Sequence, residues 1–198
     1  MREQMERIQY VPPKAHSDVR TRLAREIAEI TPGSPSSTYF AISGSQANES
    51  AVQIARAFTD SRKVLSRWRS YHGGTYGAGA LTGDPTTRNS LERYAQTSGS
   101  VKFLPPVEYG SPFNADSPEE LAELAADHLE FVIRNEGPDS IAAIINEPIG
   151  GSSGAFPGPA DYFERVRELC DEYEILMISD EVIAGFGRCG EWFGIETE

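Results

Sequence analysis

The sequence predicts an α/β fold, a three-layer sandwich with a sheet covered by helices on both faces, and three observations carry that expectation. Strand-like and helix-like segments alternate along the chain. Several strand-like segments, above all "IAAIIN" (141–146) and "ILMIS" (175–179), are apolar throughout instead of alternating, which a strand buried on both faces requires. Chemically distinctive residues fall where strands end, and in parallel α/β sheets ligands sit beyond the carboxyl ends of the strands.

The elements follow in order. Residues 17–30, "SDVRTRLAREIAEI", place Val19, Leu23, Ile27 and Ile30 on one helical face behind a Ser-Asp start, and "TPG" ends the helix. "STYFAIS" (37–43) is rich in β-formers and predicts a short strand. It runs into "GSQANESAVQIARAF", where glycine and serine open a helix with Ala51, Ile54, Ala55 and Phe58 inward. "KVLSRW" (63–68) predicts the next strand, "SYHGGTYGAGALTGDP" a glycine-rich loop with a short helix, and "VKFLP" (101–105) a further strand. An amphipathic helix is expected over 118–135, a buried strand over 141–146, a helix opened by Pro159 over 159–173, and a last strand over 175–179. No repeat, low-complexity tract or long linker interrupts them.

At 198 residues and 39% hydrophobic content the chain is long enough for one substantial core. Mean hydropathy is −0.41, and no apolar run approaches the roughly 18 residues of a spanning helix. The opening "MREQMERIQYVPPKAH" has no apolar core of a signal peptide, and the two cysteines, Cys170 and Cys189, make neither a disulfide framework nor a metal quartet. A reduced, cytoplasmic setting with no membrane partner is expected. The formal charge of −12 argues against nucleic acid, whose phosphates are bound mainly by Lys and Arg. Only Lys14, Lys63 and Lys102 are lysines among the 18 basic residues. An acidic, lysine-poor surface fits a protein that stays soluble in high salt, and fits an ordinary acidic protein from a GC-rich genome nearly as well.

Four positions carry the chemistry. In "SGSQANES" (43–50), Gly44 and Ser45 stand where a helix begins, so main-chain N–H groups, a hydroxyl and the helix dipole favour an anion such as phosphate; a plain cap of small polar residues explains the same letters. "SYHGGTYG" (70–77) offers Tyr71, able to stack on a planar heterocycle or simply to pack, and His72, taken alone more often a hydrogen-bonding residue than a catalytic one. Glu147 follows a buried strand directly and needs a partner, since an unpaired buried charge is expensive; a salt bridge to an arginine would suffice. Asp180 poses the same problem after "ILMIS". A carboxylate in a low-dielectric crevice can keep a heterocyclic nitrogen protonated and make the ring an electron sink.

Together these segments resemble the class III (subgroup II) aminotransferases of pyridoxal-phosphate fold type I. "SGSQAN" is similar to the family's SGSEAN phosphate loop and "YHGGTYGAGALTGDP" to its YHGxT segment. "IAAIINEPIGG" is similar to its EP strand, and "ISDEVIAGFGRCGEWFG" to its DEVxxGFGRTG signature. The resemblance runs from about residue 17 to the end and leans toward branches using ω-amino acids or taurine with pyruvate. It implies pyridoxal 5′-phosphate as cofactor, an amino donor and a 2-oxo acid acceptor as substrates, a homodimer, and no metal. Gly44 and Ser45 would then hold the phosphate, and Tyr71 and Val182 would cover opposite faces of the pyridine ring. Asp180 would pair with the ring nitrogen, His72 and Glu147 would join the polar network, Glu147 beside the 3-hydroxyl, and Arg188 would brace the glycine turn. Gln46 stands for the usual glutamate and Cys189 for the usual threonine. The resemblance makes residues 1–198 a single partial domain, the cofactor-binding large domain without its small-domain part or its C-terminal portion. No lysine follows the "DEV" motif, so the family's Schiff-base lysine has no counterpart among these residues, and no catalytic residue is assigned. A non-catalytic or complementation-dependent fragment, and an aminomutase or decarboxylase of the same fold, are the alternative readings.

Overall fold

The computed structural model describes all residues except 13, 14, 95, 96, 153 and 198, so Lys14 lies outside the described residues. The chain divides into two compact units, Met1–Tyr39 and Phe40–Glu198. The first holds two helices, α1 (Arg2–Arg7) and α2 (Asp18–Ile30). Ser17 caps α2, its hydroxyl accepting from the Arg20 N–H, as the Ser-Asp start predicts. No residue of α2 is buried: Val19 is 39% and Leu23 49% exposed on the apolar stripe.

The second unit is the α/β body. Its helices and strands are α3 (Gly44–Thr59), β1 (Lys63–Arg67), α4 (Ala78–Leu81), α5 (Pro85–Leu91), β2 (Ser100–Phe103), α6 (Pro118–Glu136), β3 (Ile141–Asn146), β4 (Ile149–Gly150), β5 (Phe156–Pro157), α7 (Tyr162–Glu172) and β6 (Leu176–Ser179). The sheet order is β2-β1-β3-β6, and every pairing is parallel. β4 and β5 form a small antiparallel hairpin. Every residue of β3 is buried, the state its apolar run Ile141–Ile145 predicts, and the polar Asn146 at its end is buried with them. One face of the sheet, with Leu65, Phe103 and Ile144, packs on Ala122, Ala125, Leu129 and Ile133 of α6 and on Tyr162, Phe163 and Val166 of α7. The other face meets α3 and α4: Val64 and Ile145 pack with Val52 and Leu81, and Ala55 sits on Ala142 and Ala143.

Several expectations are corrected. Residues 37–43 join no ladder; Tyr39 and Ile42 are 65% and 95% exposed, and β-forming composition makes no strand without a neighbour to pair with. In α3 the buried positions are Asn48, Val52 and Ala55, whereas Ile54 and Phe58 face outward at 62% and 79% exposure. The helix meets the sheet through Val52 and Ala55, the latter in one cluster with Ala142 and Ala143. α7 begins at Tyr162, not Pro159, whose carbonyl accepts from the Tyr162 N–H. The helix α5, capped by Asp84 with Pro85 at its first position, and the β4–β5 hairpin were not expected.

Neither described lysine stands at a strand end that faces the other motifs. Lys63 pairs with Glu136 at 2.8 Å. Lys102 Nζ donates to the carbonyls of Ala80 (2.9 Å) and Leu81 (2.7 Å) and to Ser66 Oγ (2.6 Å), closing the end of α4 over the sheet. Its burial, with the Arg88 charge adding to it, pulls the ammonium down to about 7.

Candidate active site

Beyond the carboxyl ends of β1, β3 and β6, and against the start of α3, lies a cavity of about 440 Å³. All seven site residues expected from the sequence line it: Gly44, Ser45, Tyr71, His72, Glu147, Asp180 and Val182. They come from four segments separated by most of the unit, and the parallel sheet brings them together by delivering its strand ends to one edge.

The wall at α3 follows from local sequence. Ser43 is the N-cap, its hydroxyl accepting from the Gln46 N–H at 3.2 Å, while Gln46 Oε1 accepts from the Ile42 N–H at 2.9 Å. Glutamine thus makes with its amide oxygen a bond a glutamate could also make, so the departure from the family pattern keeps this contact. Gly44 and Ser45 occupy the first turn, where main-chain N–H groups have no carbonyl one turn back. Two close approaches shape this wall. A Cβ at Gly73 (φ +133°) would lie 2.4 Å from Ser45 Oγ, and one at Gly44 would lie 3.0 Å from Val182 Cγ2. The Gly74 N–H reaches Ser45 Oγ at 3.3 Å, tying the glycine-rich loop to the helix start.

Asp180 forms the buried floor, 6% exposed. Its Oδ2 accepts from Asn48 Nδ2 at 2.8 Å and meets His72 Nδ1 at 2.9 Å; its Oδ1 accepts from the Val182 N–H at 3.2 Å. An ionised carboxylate only accepts, so the His72 proton sits on Nδ1. Nε2 of His72 is buried without a partner among the described residues. Burial, the largest influence on Asp180, pushes its carboxyl up, but the His72 bond and charge, the Asn48 amide and the Val182 N–H together hold it below the ordinary carboxylate range. A carboxylate offers about four acceptor positions, so Asp180 retains capacity toward the cavity. Asn48 also donates to the His72 carbonyl at 2.8 Å, locking the imidazole's own segment to α3.

Glu147 finds different partners. Its Oε1 accepts from the Tyr71 N–H at 2.7 Å and its Oε2 from the Gly151 N–H at 2.8 Å, so the carboxylate braces two loops at the rim. The Tyr71 ring is 44% exposed and Val182 68%. Glu181, adjacent to Asp180, turns away: it accepts from Ser179 Oγ and from the N–H groups of Gly194 and Ile195, holding a 3-10 turn against β6. Arg188 is exposed, and the glycine turn is closed by main-chain bonds, Gly187 N–H to the Glu191 carbonyl and Gly190 N–H to the Gly187 carbonyl. Asn48, Gly73, Gly151, Ser152 and Ile183 also line the cavity and were not singled out from the sequence. The signal for Asn48 was a polar residue on the sheet-facing stripe of α3. Among the described residues no lysine lines the cavity, and none of the described His, Cys, Asp and Glu residues cluster as a metal site.

A parallel sheet layered by helices, with a polar crevice at its carboxyl edge, defines an α/β protein of the kind found in fold type I pyridoxal-phosphate enzymes. The solved structure of a taurine:2-oxoglutarate aminotransferase from Bifidobacterium kashiwanohense, in complex with PLP and glutamate, superposes with TM-score 0.93 at 36% identity, covering 99% of this chain and 44% of that one. The family model for class-III aminotransferases matches residues 1–198, and the chain belongs to that family. It is 36% identical over 186 residues to the putrescine–pyruvate aminotransferase of Pseudomonas aeruginosa, covering 91% of this chain and 40% of that protein. It is 38% identical over 179 residues to the leucine/methionine racemase of Thermococcus litoralis, covering 88% and 39%. The chain thus spans about two-fifths of the length of these curated relatives.

Proposed function

We propose that this chain forms the cofactor-holding part of an enzyme that moves an amino group from an amino acid or ω-amino compound to a 2-oxo acid such as pyruvate, using pyridoxal 5′-phosphate. One observation carries the reading: a buried carboxylate, Asp180, is kept ionised by Asn48, His72 and the Val182 N–H while retaining acceptor capacity toward the cavity. The residues fit the cofactor. The Gly44–Gly73–Ser45 cradle is closed to any added Cβ at Gly73, and the start of a 16-residue helix, whose first-turn N–H groups suit an anion, lies beside it.

Gly44 and Ser45 would bind the phosphate through main-chain N–H groups and the Ser45 hydroxyl, with the helix dipole adding to the attraction. The Tyr71 ring and the Val182 side chain would hold the pyridine between them, excluding water from its faces. Asp180 would hold a proton on the pyridine nitrogen, and His72 and Asn48 would fix the carboxylate's orientation. Glu147 would set the rim by holding the Tyr71 and Gly151 main chain. When bound, the cofactor supplies an electron sink for the carbon that carries the amino group. The family's covalent lysine is assigned to no residue of this chain. We read residues 1–198 as one partial large domain, working in the cytoplasm as part of a homodimer.

The test is titration of pyridoxal 5′-phosphate into the protein, followed by visible absorbance and circular dichroism. Saturable binding that induces dichroism in the cofactor band, and that Asp180→Ala abolishes, supports the reading; absence of saturable binding overturns it. Similarity to a racemase favours a second reading, inversion at the amino-bearing carbon. Incubating the full enzyme with putrescine or L-leucine and pyruvate separates them: transfer yields alanine, whereas inversion yields D-leucine without consuming pyruvate.

A further inference from the structure

The carboxyl edge of the sheet carries a polar row on the face away from the cavity's helix. Ser66 and Ile145 are paired across β1 and β3, and Ser66 turns its hydroxyl to the Leu81 carbonyl on the α4 side. Side chains alternate along a strand, so Arg67, the next residue, points to the opposite face, where Phe163 of α7 lies with its ring centroid 5.9 Å from the guanidinium carbon. Arg67 is 6% exposed, an unusual place for a guanidinium. One of its nitrogens, Nη2, donates to the main-chain carbonyl of Glu147, the first residue past β3. On the same face, Asn146 is paired with Ser179 of β6, whose hydroxyl holds Glu181. A fixed carbonyl at Glu147 orients that residue's peptide, and with it a side chain whose two oxygens take the N–H groups of Tyr71 and Gly151.

We propose that Arg67 is a positioning residue for the site: from the far face of the sheet it fixes the Glu147 backbone so that the Glu147 carboxylate can hold the Tyr71 and Gly151 loops at the cavity rim. Arg67 itself does not line the cavity. A planar, always-charged donor suits this task, because it reaches a carbonyl from a strand one ladder away and keeps its orientation at any working pH. The role at the rim rests on the cofactor-site reading above, but its first test does not.

Amide hydrogen exchange on the protein without cofactor reads the two N–H groups directly. In Arg67→Met, exchange at Tyr71 and Gly151 is expected to speed up about ten-fold, the size that loss of one good hydrogen bond gives, matching Glu147→Ala, with Ile144 and Ile145 unchanged. Arg67→Lys, which keeps a donor and the charge, should restore most of the protection. If Arg67→Met does not fold, the comparison of Arg67→Lys with Arg67→Gln reads the same amides. Wild-type protection of Tyr71 and Gly151 in Arg67→Met (or in Arg67→Gln), beside their loss in Glu147→Ala, overturns the proposal, and so does equal acceleration along all of β3. The second readout is pyridoxal 5′-phosphate affinity, expected to weaken in Arg67→Met by a similar factor. Should the wild type bind no cofactor, the site reading fails while the exchange result still decides the role of Arg67.

Discussion

The ends of β3 and β6 each deliver a buried carboxylate to the same cavity, and the two are held by different kinds of partner. Glu147, after β3, has both oxygens on main-chain N–H groups, those of Tyr71 and Gly151. Asp180, after β6, is held mainly by side chains, His72 and Asn48, with one main-chain donor from Val182. Main-chain donors fix where loops lie. Side-chain donors fix the direction and charge state of the acceptor itself, because an imidazole or amide can be aimed without moving the backbone. The end of β3 therefore sets the shape of the rim, and the end of β6 sets the electrostatics of the floor.

The largest expected effect comes from removing the floor. Asp180→Ala leaves the His72 and Asn48 donors buried without an acceptor, and should cost about 3–5 kcal/mol of stability, read from urea unfolding. The same carboxylate shapes the acid limb. Its folded pKa lies below the ordinary 3.8, so its contribution is fully present above that value and is lost as the pH falls through the folded value. Asp180→Asn should flatten the loss of stability below pH about 4; an unchanged acid limb would show that the carboxylate gains nothing from its partners on folding.

Glu147→Gln should cost less, about 1–3 kcal/mol, since one oxygen is kept and one main-chain N–H loses its acceptor. Its mark is local: one of the two amides, Tyr71 or Gly151, loses protection while the other and the Asp180 network keep theirs. If Glu147→Gln destabilises the protein more than Asp180→Ala, the division between rim and floor is reversed. The smallest effect is expected from Tyr71→Ala. A ring 44% exposed contributes little to folding, so stability should change by less than about 1 kcal/mol while cofactor affinity falls. A large stability loss with unchanged affinity would make Tyr71 a packing residue instead of a ring face.

Much of this molecule was legible as local pattern. A strand buried on both faces is apolar almost throughout, so "IAAIIN" could be placed inside the sheet from its letters alone; "ILMIS" was legible as a strand, but β6 is the sheet's edge and only half-buried at each position. The helix start at Ser43 was equally readable, because a cap is made with residues three positions away. The seven expected site residues meet at one cavity for the same reason, since a parallel sheet collects its strand ends on one side. Tertiary structure decided what depends on distant neighbours. Nothing near Asn48 in the chain says that its amide will reach an aspartate 132 positions later, and nothing near Glu147 names Tyr71 as its donor. The segment 37–43 has strand-forming letters and no ladder, and α3 turns Asn48 and Val52 inward beside the expected Ala55, in place of Ile54 and Phe58. A local pattern states which groups must be buried or capped; which partner satisfies each of them is chosen only when the sheet closes and the strand ends come together.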